Sequence, residues 1–305
     1  MASKKVSKKY ALSEFYTIGL ILIIYCLFVL FLPLVASELL TALLDDVMWK
    51  GINLIQVIRT GLMIIGTILP FMLLRLQAKK KDLPVSKKIK ISSKQILCQT
   101  IVFFTATSAA IFAMTAVAAY FGISGELVSG IGISIDSNNL TDIVYIVTFI
   151  VISPILEEYA FRGVLLSVLS KYGKYFALYA SALIFSLAHG SFMEFFPSFV
   201  MAILLGKIAL RYKSIKPTIW IHILFNGLLY VSFIIPEDYS MIMAGFFALI
   251  YIAAIVLYLT NVYKPIIVKK SNSNSKVSIM FLTTFSVLVA IVLFISHSVL
   301  TIVLR

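Results

Sequence analysis

Long apolar runs separated by short polar breaks set the pattern of this chain. Runs near 14–36, 53–76, 97–121, 143–169, 175–193, 195–211, 218–235, 240–260 and 278–304 each approach the ~20 residues that cross a hydrocarbon core as an α-helix. The pattern predicts an all-α, polytopic transmembrane bundle of about nine spans, with eight as the alternative count. Charge is distributed unevenly between the breaks. Lysines mark the N-terminus (Lys4, Lys5, Lys8, Lys9), the stretch Lys79 to Lys94, the turn Lys171 to Lys174, the segment Lys207 to Lys216 and the linker Lys264 to Lys276. The intervening breaks carry Glu38, Asp45, Asp46, Glu126, Asp136, Asp142, Glu194, Glu237 and Asp238, with Lys50 as nearly their only cation. Positive charge collects on the cytoplasmic side, so this alternation predicts a cytoplasmic N-terminus and an outward-facing Asp136 loop.

Composition agrees with the pattern. With 305 residues, 61% of them hydrophobic and 13% charged, the chain is far more apolar than a soluble domain. The net charge of +13 reads as a topology signal and an affinity for anionic headgroups rather than for nucleic acid. The first run follows a basic segment, but its spanning length predicts a retained anchor rather than a cleaved signal. Cys26 and Cys98 lie in apolar runs without metal-ligand spacing and read as small buried hydrophobes. By content, three regions follow: 1–142, membrane spans with a basic cytoplasmic loop; 143–236, a core rich in polar chemistry; 237–305, further spans joined by the linker Ser271 to Ser275. No internal repeat of the inverted-transporter kind is evident.

Ionisable groups at membrane depth are costly and point to function. The run 143–169 holds Glu157-Glu158-Tyr159-Ala160-Phe161-Arg162, the next holds Phe185 to His189, and a later one His222 to Asn226. On an α-helix Glu158 and Arg162 share one face, with the acid on the N-terminal side, the favourable order for an ion pair. Glu157 is rotated by about 100° from Glu158, cannot share Arg162 equally and needs another partner or a water. A carboxylate so placed is a candidate general base and then general acid. His222 and Asn226, four residues apart, form a donor pair suited to an oxyanion. His189 stands alone on its run, and His297, near the end of the last run, reads as structural or interfacial.

Glu157-Glu158-x-x-x-Arg162, Phe185-x-x-x-His189 and His222-x-x-x-Asn226, in this order, resemble the three signature motifs of the CPBP family, the CAAX prenyl endopeptidases and bacteriocin-processing or immunity proteins also called Abi. The resemblance spans roughly 150 to 230 and implies an intramembrane endopeptidase with a CAAX-protease-like helical core. It implies that Glu157 and His189 activate the attacking water, that His222 and Asn226 stabilise the oxyanion, and that Glu158 and Arg162 are supporting residues that hold the base. No cofactor is favoured. A metalloprotease reading would instead place zinc on Glu157, His189 and His222; the asparagine beside His222 suits an oxyanion better than a metal. Counting about 1.5 Å per residue from the cytoplasmic edges puts Glu157 and His189 at similar depth and His222 and Asn226 shallower.

Two other functions fit parts of this pattern. One is a non-catalytic CPBP-fold partner of another membrane protein, such as a sensor kinase or a bacteriocin target; the other is a proton-coupled transporter, for which repeats or broken helix pairs would be the sign. The expected partners are the lipid bilayer and a membrane-associated or leader-type peptide substrate. Lys-rich and Ile-rich composition suggests a bacterial plasma membrane.

Overall fold

A computed structural model describes residues 7–36, 39, 48–49, 52–78, 92–121, 140–268 and 275–303. Glu38, Asp45, Asp46, Lys50, most of the basic stretch Lys79 to Lys94, Glu126, Asp136 and most of the Ser271 to Ser275 linker lie outside the described residues. The described chain is helical apart from a two-residue antiparallel ladder, β1 (Met48–Trp49) against β2 (Ile52–Asn53). Among the described residues ten helices of eight residues or more follow one another: α1 (Lys8–Ala36), α2 (Leu54–Gln77), α3 (Ser93–Tyr120), α4 (Asp142–Ser170), α5 (Lys174–Ala188), α6 (Phe192–Tyr212), α7 (Lys216–Ile234), α8 (Ser240–Leu259), α9 (Ser275–Leu282) and α10 (Phe285–Val303). Helices close their own backbone hydrogen bonds, the condition for crossing lipid.

Every apolar run becomes helix in the described residues. Among the described residues six helices, α1, α2, α3, α4, α6 and α8, are long and apolar enough to cross a membrane, or seven if α9 and α10, bent by 60°, count as one. The chain is a multi-pass membrane protein, and where an apolar run and its helix differ in length the difference is local. The clearest departure is the run 175–193. At 15 residues, α5 is only about 22 Å long against a hydrocarbon core of about 30 Å, because it stops at Ala188 and turns through Gly190.

The first and last helices of the bundle pack along each other. Gly19 of α1 leaves the space that lets α10 approach: a Cβ there would lie 2.3 Å from Ser286 Oγ, and that hydroxyl donates to the Tyr16 carbonyl at 2.8 Å. At one end of α1, Glu14 accepts from Lys171 Nζ at 2.5 Å and from the Tyr172 hydroxyl, pinning α1 to the turn between α4 and α5. The core beneath is aromatic. Phe161 of α4 meets Tyr25, Phe71 and Phe185 with ring centroids 5.8, 5.3 and 5.0 Å away, mostly edge to face, which is the favoured aromatic geometry. This cluster fixes the height and rotation of α4, and so of Glu157, Glu158 and Arg162 beside it.

Candidate active site

The local structure of α4 departs from an α-helix at the residues that matter. Two π-helical stretches, Thr148–Ile152 and Glu158–Leu165, bracket a single α-turn, Ser153–Glu157. Pro154 explains the first. The backbone N–H of Ser153 reaches Thr148, five residues back, and proline has no N–H to offer the next carbonyl. The Phe149 carbonyl therefore loses its helical donor by either route. Asn226 of α7 replaces it, its Nδ2 donating to Phe149 O at 2.9 Å. Short π segments of this kind recur at functional sites because they re-aim side chains without breaking the helix.

The motif residues converge, with partners that differ from the simplest expectation. Arg162 Nη1 lies 3.0 Å from Glu158 Oε1, the expected pair, and both side chains are sealed off, 3% and 0% exposed. The same Oε1 accepts from His222 Nδ1 at 3.1 Å. Glu158 thus contacts the third-motif histidine directly. Glu157 finds its partner on its own helix: Ser153 Oγ donates to Glu157 Oε1 at 2.5 Å. Its other oxygen, Oε2, lies 3.8 Å from His222 Nε2, beyond hydrogen-bond reach. The depth mismatch expected for the third motif is absent, since His222 touches Glu158 directly. Counting from loop edges assumes a uniform helical rise, and α4 changes register twice.

His189 caps α5 rather than lying within it. Its Nδ1 is 2.9 Å from the Phe185 carbonyl. A carbonyl only accepts, so Nδ1 carries the proton and Nε2 is left as the basic nitrogen. Phe185 serves both sides: the Arg162 guanidinium stacks 4.1 Å over its ring and the His189 ring sits 4.7 Å from it. The turn after His189 depends on Gly190, whose φ of +63° favours glycine; a Cβ there would lie 2.6 Å from His297 Nδ1. His297, read from the sequence as structural or interfacial, is buried behind this turn with the Phe31 ring 5.4 Å away. Gly190→Ala is expected to destabilise the fold by at least the ~1–2 kcal/mol of a left-handed non-glycine residue. The added clash with His297 should be partly relieved in Gly190→Ala/His297→Ala, as read from thermal unfolding midpoints.

A cavity of about 510 Å³ joins these groups. Ser153, Glu157, His189, His222 and Asn226 line it with Glu194 and Ser198 of α6, and its remaining wall is largely apolar, from Phe104 and Ile111 of α3 to Phe247 of α8. Ligand sites have this size and mixture. Glu194, expected in an outward loop, stands in the first turn of α6 and faces this cavity. Ser153, Ser198, the Phe149 carbonyl and the Gly190–His297 contact were not singled out from the sequence; only Ser153, one turn before Glu157 and next to a proline, carries a spacing that could have drawn notice.

A zinc ion needs three or four donors converging at about 2.0–2.3 Å. Among the described residues no three His, Cys, Asp or Glu side chains are so grouped. As placed, the described set does not fit a metal. What the arrangement offers is a part-exposed carboxylate, two imidazoles and an amide lining one cavity.

Residues 139–228, the segment holding all three motifs, match the family model of the type II CAAX prenyl endopeptidases, Rce1-like. The match agrees with the CPBP resemblance of the motifs. No curated protein and no solved structure gives a match.

Proposed function

Because the motif-bearing segment 139–228 is of the CAAX prenyl endopeptidase type, we propose that this membrane protein is an intramembrane endopeptidase that hydrolyses a peptide bond by a metal-free, glutamate-based mechanism. The observation that carries the proposal is the division of labour on Glu157: Ser153 holds Oε1, and Oε2 faces the cavity beside His222. Glu157 Oε2, assisted by His189 Nε2, takes a proton from a water molecule as the water oxygen attacks the scissile carbonyl. The oxyanion then accepts from Asn226 and His222. Asn226 has two amide protons, one spent on Phe149, so one serves the oxyanion. His222 donates Nδ1–H to Glu158, so its oxyanion role requires a second proton on Nε2, the imidazolium form. Collapse of the intermediate breaks the C–N bond, and the departing amine takes the proton from Glu157.

The supporting roles of Glu158 and Arg162 follow from burial: a guanidinium–carboxylate pair at 3.0 Å holds His222 by its Nδ1. The substrate is a membrane-associated peptide, and we place the N-terminus in the cytoplasm from the lysine distribution. The test is cleavage of a quenched-fluorescent library of apolar peptides by detergent-purified protein, with products mapped by mass spectrometry. His189→Ala and Asn226→Ala are each expected to lower kcat by about 10²–10³-fold without loss of folded protein. Rates equal to wild type in both would overturn the assignment.

A further inference from the structure

Hydroxyls in these helices mostly bond backwards. Thr148, Ser167, Ser170, Ser186 and Ser198 each donate to the carbonyl four residues earlier, at 2.7, 2.8, 2.6, 3.0 and 2.5 Å. That habit is the ordinary way to satisfy a hydroxyl in an apolar helix. Ser153 does the opposite and donates forward, to the Glu157 carboxylate. The carbonyl it would have used is Phe149 O, four residues back, and Asn226 occupies it. The π-turn and Pro154 left that carbonyl to Asn226, and the Ser153 proton goes to Oε1 instead.

We propose that Ser153 is a positioning residue for the general base. The assignment rests on the endopeptidase reading and deepens it. A glutamate carboxyl rotates easily about its last bond, a broad two-fold torsion, so its two oxygens are interchangeable unless something distinguishes them. A hydrogen bond to an ionised carboxylate is short and strong enough to do so. Ser153 fixes Oε1 and leaves Oε2, on the His222 side, as the oxygen that takes the proton from water. The third motif takes part at a distance: Asn226 holds the backbone that aims Ser153, and so links α7 to the base on α4.

A serine that donates to a carboxylate is also how a nucleophile is activated, and the test must separate the two. Wild type, Ser153→Ala, Ser153→Thr and Glu157→Gln would be purified in detergent and assayed on the apolar peptide library for kcat and KM. The Glu157 carboxylate stretching band would be isolated by infrared difference against Glu157→Gln. The expected result is a kcat lower by about 10–100-fold in Ser153→Ala, the range for a misplaced catalytic group. KM should stay within about twofold, Ser153→Thr should recover most of kcat, and the band should move in the alanine variant and return in the threonine variant. An unchanged kcat in Ser153→Ala overturns the proposal. So does labelling of wild type by a fluorophosphonate that disappears in Ser153→Ala, which would make Ser153 the nucleophile. If wild type cleaves nothing, the endopeptidase reading fails and the infrared result alone decides: a band that moves and returns keeps Ser153 as the residue that orients Glu157, and an unmoved band removes it.

Discussion

Glu157→Gln is expected to abolish peptide hydrolysis, lowering kcat by more than about 10³-fold, while the protein folds and binds peptide as before. The substitution keeps the shape of the side chain and an oxygen for the Ser153 hydroxyl, and removes only the capacity to accept a proton. Glu157 is 22% exposed at the cavity, and the His222 imidazolium 3.8 Å from its Oε2 keeps Glu158 as a direct partner at 3.1 Å, so neutralising Glu157 leaves no buried charge without a counter-ion. Turnover should fall and the thermal midpoint should not. Steady-state kinetics and thermal unfolding on the same preparation check both halves; a variant that unfolds early would move Glu157 from chemistry to stability.

Arg162→Ala acts the other way. Glu158 is fully buried and shares its Oε1 between Arg162 and His222. Removing one partner of a buried ion pair costs about 3–5 kcal/mol, because the remaining charge is neither hydrated nor compensated. The guanidinium also fills the space over Phe185, at 4.1 Å, so its loss opens a gap next to the His189 turn. Folded yield, size-exclusion profile and thermal midpoint should all fall, and activity with them. Arg162→Lys should rescue little, since an ammonium supplies neither the planar fork nor the stacking. Arg162→Met combined with Glu158→Gln should fold better than Arg162→Ala alone, as removing both charges removes the desolvation penalty. An Arg162→Ala protein with wild-type yield and midpoint would show that Glu158 has compensation elsewhere.

Much of this site can be read from spacing. Four-residue intervals place Glu158 by Arg162, and they place His222 and Asn226 on one face of α7. They also place Phe185 O within reach of His189. Each of these is a local property of helices, and the structure shows each. What spacing cannot convey is which group on another helix receives a side chain. His222 goes to Glu158 rather than to the base, and Asn226 goes to a carbonyl made available only because Pro154 and a π-turn shift the register of α4. The end of α5 was hidden for a related reason. Apolar length was visible in the run 175–193, but the end of α5 is set by the Gly190 turn and its packing on His297, a contact over a hundred residues away in sequence. Glu194 was misplaced in the same way: its charge suggested a loop, whereas helix α6 begins two residues before it and carries it to the cavity.

The central claim, that a glutamate rather than a metal activates water, is tested most directly by cleavage after exhaustive chelation, with the metal content of the same sample measured. Wild-type protein stripped of metal should cleave the peptide library at its original rate, and Glu157→Gln should not cleave it before or after stripping. Activity that disappears on chelation and returns with added zinc would contradict this account and turn Glu157, His189 and His222 into a metal site.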